Sequence, residues 1–176
     1  AKIIGAAMNH YLLEKSRVVG QGKDERNYHA FLQLCAGADD AQRTALHLGP
    51  AGHAPYAASA FEYLKHGAIT VPGVNDVEEF HDMTQAMRLL GVDAAHVEQM
   101  LRVVAGILHN GNIQFEEDDN GDGRVVDDGP LNIAAELLGC ETLRLSLTQR
   151  TVTSAGRSSI YKVKLNVTEC CNARDA

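Results

Sequence analysis

Residues 11–35 read YLLEKSRVVGQGKDERNYHAFLQLC, and the change of period inside this stretch decides the fold. Lys2 to Val19 reads as extended chain and ends in the polar, glycine-bearing turn Gly20 to Asp24. Helical spacing then takes over. Tyr28, Phe31, Leu32 and Cys35 fall at i, i+3, i+4 and i+7 and so share one inward stripe, and Gly37 is placed to stop that helix in a left-handed cap.

Working outward, Asp39 to Leu48 predicts a short helix closed by Gly49, Gly49 to Ala58 a loop, and Ser59 with Glu62 a capping box opening a short helix that ends near Gly67. Asp76 and Glu79 make a second capping-box pattern before a stripe of Phe80, Met83, Met87 and Leu90 that runs out at Gly91. Asp93 is the expected cap of a longer core helix, with Val97, Met100, Leu101, Val104, Ile107 and Leu108 on one wide apolar face ending at Gly111. Leu131 to Leu138 predicts a third amphipathic helix stopped at Gly139, followed by a short one around Leu143 and Leu147. Tyr161, Val163, Leu165 and Val167 alternate with Lys162, Lys164 and Asn166, the period of a strand with one buried face. Thr151 to Thr153 is its expected hairpin partner across Ser154 to Ser159. No internal repeat, low-complexity tract or domain boundary interrupts the chain.

At 176 residues the chain is the size of one domain and long enough to bury a core. Its net charge of −7 argues against non-specific binding to nucleic acid or to an acidic membrane, which needs a basic surface to displace counterions. Cysteines at 35, 140, 170 and 171 show no CxxC spacing, and no signal peptide or long apolar run is present, so a reduced cytosolic setting is expected. In that setting the sequon Asn166-Val167-Thr168 goes unused.

The opening stretch resembles the myosin motor domain, whose members carry a strand YLLEKSRV, a short polar turn and a helix beginning ERNYHIFYQL. Tyr11, Leu12, Leu13, Glu14, Lys15, Ser16, Arg17 and Val18 match the first block. Glu25, Arg26, Asn27, Tyr28, His29, Phe31, Gln33 and Leu34 match the second, with Ala30 and Leu32 in place of the usual Ile and Tyr. Ile107 to Phe115 (ILHNGNIQF) is similar to the family's ILHLGNIxF, with Asn110 replacing Leu. Asp76 to Gly91 matches an acidic start and AMxxLG ending, and Ala173 to Ala176 (ARDA) resembles the start of the ARDALAK helix, so the resemblance spans the chain.

The phosphate-cradling pattern GxxxxGK[ST] is absent: the one Gly-Lys pair, Gly22 and Lys23, is followed by Asp24. Neither the family's serine-rich switch segment nor its DxxGFE segment is found. The resemblance therefore implies a partial P-loop NTPase-type motor fold of mixed, predominantly helical α/β class. It implies that residues 1–176 form a single partial domain between the two switches, with a transducer strand at Lys2 to Val19 and the helical upper fifty-kilodalton subdomain. That subdomain forms one jaw of the actin-binding cleft and couples filament binding to the nucleotide site. The parent would be an actin-activated ATPase using ATP and Mg²⁺. This segment is expected to carry no catalytic, nucleotide-binding or metal-binding residue, to need no cofactor, and to be inactive and weakly stable alone. Its expected partners are filamentous actin and the rest of the motor, with no nucleic acid or membrane, in a cytoplasmic, cytoskeleton-associated location. A chain starting without Met and ending on the first turn of a helix suits a segment of a longer protein.

By the same resemblance, Arg150 to Lys164 is the actin-contacting hairpin, with Thr153, Ser154, Ala155, Gly156, Arg157, Ser158, Ser159 and Lys162 as its contact residues. Arg157 stands at the tip, with Lys162 and Lys164 behind it, cations suited to an acidic filament surface. Asp118, Asp119, Asn120, Asp122 and Arg124 form an acidic loop on the actin side. That loop also carries the sharpest rival reading. With Asp118 at position 1, Asn120 at 3, Asp122 at 5, Gly123 at 6 and Val125 at 8 follow the Ca²⁺-binding EF-hand pattern, but position 12 is Gly129 and not the bidentate Glu. A solvated acidic surface loop is the simpler reading. A standalone helical interaction domain without motor function is the second alternative.

The eight histidines, at 10, 29, 47, 53, 66, 81, 96 and 109, show no HxxxH pair with an acidic partner on one helix. His29 and His109 are expected to pack or to hydrogen-bond. Cys170 and Cys171 are expected to be buried small residues, not redox groups.

Overall fold

The computed structural model describes residues 9, 12–49, 58–153 and 160–176. Among them the fold is mixed α/β, mainly helical with two small antiparallel sheets. The order is α1 (Lys15–Val19), α2 (His29–Gly37), α3 (Asp40–Ala45), α4 (Asp76–Leu89), α5 (Ala94–Gly111), β1 (Phe115–Glu117), β2 (Gly123–Val125), α6 (Asp128–Leu138), α7 (Leu143–Thr148), β3 (Gln149–Thr153), β4 (Ile160–Lys164) and α8 (Val167–Arg174).

The larger core lies where α2, α4 and α5 face one another. Phe31, Leu32, Leu34 and Cys35 of α2 meet Phe80 of α4 and Val97, Leu101, Ala105 and Leu108 of α5, and Leu46, Leu48, Phe61 and Leu64 close the sides. Leu34, Ala105 and Leu108 are fully buried. A smaller core gathers Ile113, Leu131, Ala134, Leu143 and Leu147. Helix α6 joins the two, since Leu137 belongs to the first core while Leu131 and Ala134 belong to the second. A side chain at Gly106 of α5 would sit 2.7 Å from Leu138, so the glycine permits the close crossing of α5 and α6.

The polar block at the head of α2 works as a set of staples. The Asn27 amide, buried, donates to the carbonyls of Val18 and Tyr63, each at 2.9 Å, and accepts the Tyr28 amide at 2.7 Å. Arg26 donates to Asp76 at 2.6 Å and to the Ile69 carbonyl at 2.9 Å. The carbonyl of Glu25 accepts the amide of Ala68, and a Cβ at Gly67 would stand 2.6 Å from that carbonyl oxygen. Three adjacent residues thus tie the start of α2 to the segment before α4.

Several sequence expectations are corrected. Within the expected strand Lys2 to Val19, residues 1–8, 10 and 11 lie outside the described residues, while Lys15 to Val19 is helical. Among the described residues no strand flanks this segment, so its backbone bonds locally, as from Gly20 N–H to the Ser16 carbonyl, helped by the Glu14–Arg17 ion pair. Helix α2 does not end in a left-handed glycine. Its cap is Ala38 in extended geometry, and Gly37 is needed because a Cβ there would lie 2.5 Å from Phe80. Helix α3 ends at Ala45 with His47 at φ 54°, before the expected stop at Gly49.

The capping box at Ser59 and Glu62 does not open a helix to Gly67. Residues 60–66 form turns and a bend, and the Glu62 carboxylate pairs with Lys65 and His66. Helix α4 is capped by Asn75, which accepts the amides of Val77 and Glu78, because Asp76 is engaged by Arg26. In its stripe Phe80 is buried and Met83 and Met87 pack on the core, but Leu90 is 70% exposed. Helix α5 keeps its Asp93 cap, with Met100 half exposed. Helix α6 stops at Gly139 with φ 64°, as the spacing predicts. Residues Tyr161 to Val167 do not form one strand with a buried face: β4 ends at Lys164, all of it is exposed, and Val167 opens α8. The helix that holds the first ARDA residues starts further upstream than expected, because the Asn166–Glu169 capping box sets its beginning at Val167. His29 is exposed. The loop Gly49 to Ala58 lies, between 50 and 57, outside the described residues.

Candidate functional site

The sequence places its candidate residues on an acidic loop and a β-hairpin; in the structure the acidic residues form the turn and second strand of a first hairpin, which is set beside the second. In the first, Phe115 pairs with Val125, Glu116 with Arg124 and Glu117 with Gly123. Its turn is held by Asp118, whose carboxylate accepts the amides of Asn120 (2.8 Å) and Asp122 (3.0 Å), while Gly121 supplies a φ of 82°. This is the aspartate-capped turn favoured by local side-chain to backbone bonding. The Asp118 carboxylate is thus turned onto its own loop, and position 12 of the EF-hand count is Gly129, which has no side chain to supply the bidentate carboxylate. The Arg124 guanidinium pairs across the strands with Glu116 at 2.8 Å.

In the second hairpin Gln149 pairs with Lys164, Arg150 with Val163, Thr151 with Lys162, Val152 with Tyr161 and Thr153 with Ile160. Alternation sorts these residues onto two faces. One carries Val152, Tyr161 and Val163 with Arg150 at its root. The other carries Thr151 and Lys162 with Lys164 at its root. The tip residues Ser154, Ala155, Gly156, Arg157, Ser158 and Ser159 lie outside the described residues.

The two hairpins meet at a backbone joint. The amide of Gly123 donates to the Leu165 carbonyl at 2.7 Å, and the amide of Leu165 donates to the Thr148 carbonyl at 2.9 Å. A side chain at Gly123 would lie 2.6 Å from Cys170 Sγ and 3.1 Å from the Asn166 backbone, so only glycine allows this approach. Around the joint the charges pair off. Lys164 Nζ donates to Asp122 at 2.8 Å and stands 3.6 Å from Asp118. Arg150 reaches Glu169 of α8 at 3.7 Å, and Arg144 of α7 meets Asp128 of α6 at 2.5 Å. The amides of Asn120 and Asp122, then Lys164, hold the Asp118 carboxyl below the usual carboxylate range, and the hydrogen bond to Asp122 raises Lys164.

Of the expected contact cations, Lys164 is therefore engaged internally. Lys162, on the same face two residues away, has no carboxylate within ion-pair distance among the described residues. Asp118, Asp122 and Arg124 are likewise engaged within the molecule, whereas Asp119 stands exposed.

Sequence reasoning missed a second polar cluster. The Tyr63 hydroxyl donates to Asp175 at 2.7 Å, and Arg174 pairs with Asp175 while donating to the Ile113 carbonyl at 2.9 Å. Burial first, and then the bond to Asp175, pushes the Tyr63 phenol up. Burial alone would raise Asp175, but its bonds from Arg174 and Tyr63 bring it below the usual range. The matching blocks around Arg174 were the available signal; Tyr63 sits in a segment misread as a helix.

Two further residues are structural. His109 is buried and bonds to the Leu46 carbonyl at 3.0 Å, and burial lowers its pKa against that bond. Burial pushes the Cys35 thiol up to about 12, which makes it unreactive. Cys170 is buried and Cys171 half-buried. Among the described residues no helix is long and apolar enough to cross a membrane.

Comparison with known proteins places these observations in a family. The model of the myosin head (motor domain) matches residues 1–176. Human unconventional myosin-VI is 38% identical over 205 residues, covering 100% of this chain and 16% of that protein. Myosin-1 of Emericella nidulans is 39% identical over 178 residues, covering 98% of this chain and 14% of the relative. Myosin IB heavy chain of Dictyostelium discoideum is 36% identical over 182 residues, covering 98% and 16%. The chain thus spans 14% to 16% of the length of these relatives. A match along the full chain, together with identities above a third to several myosins, shows that the chain belongs to the myosin head (motor domain) family.

Proposed function

We propose that this chain is a central segment of an actin-based, ATP-driven motor, a single partial domain forming the upper jaw of the actin-binding cleft. The observation that carries the reading is the family match over residues 1–176. ATP and Mg²⁺ are held by other parts of such a motor, and this segment contributes a stiff helical body and a filament contact. The working place of the motor is the cytoplasm, on the actin cytoskeleton. Filament binding at the β3–β4 hairpin is coupled to the nucleotide site because a rigid body that moves as one piece biases a bistable neighbour.

Lys162 and Arg157 are the cations this reading assigns to the acidic filament, with Thr153, Ser154, Ala155, Gly156, Ser158 and Ser159 around them. The turn residues Asp118, Asp119, Asn120, Asp122 and Arg124 flank the contact. Co-sedimentation with filamentous actin at low and moderate salt tests it, comparing the parent chain with an Arg157→Ala, Lys162→Ala double variant. Salt-sensitive pelleting lost in the variant is the expected result. Pelleting that the variant leaves unchanged would remove the hairpin from the contact.

A further inference from the structure

We propose that Lys164, with Asp122 and Asp118, is a positioning clasp that fixes the angle of the β3–β4 hairpin on the body and so aims Lys162. The inference rests on the filament-contact reading only for what Lys162 is aimed at; the clasp itself rests on geometry. Among the described residues Lys164 is the only side chain of β4 with a hydrogen bond or ion pair to the body; the strand is exposed throughout, with Ile160 at 69% and Tyr161 at 55%. Its attachment is at the root. There, Leu165 is buried and bonded through the backbone to Thr148 and Gly123. This leaves the strands able to tilt about that line.

Two ion pairs oppose such a tilt, one on each face of the hairpin. Register puts Arg150 on the face of Val152, Tyr161 and Val163, and Arg150 is drawn to Glu169 of α8 at 3.7 Å. It puts Lys164 on the opposite face, where Lys164 is drawn to Asp122 at 2.8 Å and Asp118 at 3.6 Å. The closer and doubly acidic pair sits on the Lys162 face. Its acidic end is also preorganised, because Asp118 is fixed by the amides of Asn120 and Asp122. Lys164 and Lys162 are thus the same residue type on the same face with different tasks: the first holds the strand, and the second is left free for a partner.

Both pairs are exposed, so screening should loosen them. The test reads backbone order parameters of residues 150–153 and 160–163 by NMR relaxation in the full chain without filament. At low salt the parent should give values near about 0.85, with Lys164→Gln falling toward about 0.6. Lys164→Arg should keep the parent value, high salt should lower the parent to the level of Lys164→Gln, and the charge swap Lys164→Asp with Asp122→Lys should restore order. A hairpin equally ordered in the parent and in Lys164→Gln, or a swap that restores nothing, would overturn the clasp. Since no filament is present, that failure would leave the actin reading standing; an intact clasp with no filament binding would sink the actin reading alone.

Discussion

The helical body and the β3–β4 hairpin both alternate apolar and polar residues at regular spacing, yet their apolar residues meet different fates. In the body Leu34 and Leu108 are fully buried, whereas in the hairpin Ile160 and Tyr161 are more than half exposed. Periodicity tells which side chains share a face; it does not tell whether anything covers that face. The body is covered because α2, α4, α5 and α6 are long enough to pack on one another, while a two-stranded sheet has nothing of its own to lie against.

The sharpest way to break this comparison is to strike the body at its most expensive contact. Arg26 and Asp76 are both largely buried, and Arg26 Nε and Nη1 and Asp76 Oδ1 find no hydrogen-bond partner among the described residues. Asp76→Ala leaves a buried guanidinium uncompensated and should cost about 3–5 kcal/mol in denaturant unfolding. Leu108→Ala, at the fully buried centre, should cost about 2–5 kcal/mol. Gly37→Ala should cost about 1–3 kcal/mol, because its methyl must push Phe80 and with it α4 away from α2; an unchanged midpoint would mean that the two helices are loosely seated.

A smaller effect is expected from pH. Burial disfavours the charged form of His109, so the folded protein takes up that proton at a lower pH than the unfolded chain does. Stability from this group is present above about pH 6.5 and is lost as the pH falls from there through the lowered folded value. A pH series of unfolding midpoints should show this loss in the parent and not in His109→Gln. Least of all, Tyr161→Ala on the hairpin should change stability by no more than about 0.5 kcal/mol. A larger loss would mean that the hairpin face is covered in solution.

Much of the body was legible in the sequence. The Asp93 cap, the long stripe of α5 and the Gly139 stop of α6 are set by local chemistry, and local chemistry is what a sequence displays. Errors arose where a residue answered to a distant partner. Asp76 reads as a cap but is claimed by Arg26, fifty positions away. Gly37 reads as a helix stop but is required by the approach of Phe80. At the candidate site, alternation gave the pairing of the hairpin strands, but nothing in the spacing distinguishes Lys162 from Lys164. That difference arises only when the first hairpin's turn is folded against the second.

The joint at Gly123 has a practical corollary for anyone wishing to watch this region. Insertions are best tolerated at exposed, polar loop tips. Asn120 and Gly121 are exposed at the apex of the first turn, and the next strand is bonded directly to Leu165 at the root of the second hairpin. A small fluorophore attached to the Asn120 side chain would point into solvent only three positions before Gly123, close enough to report on the joint without entering it.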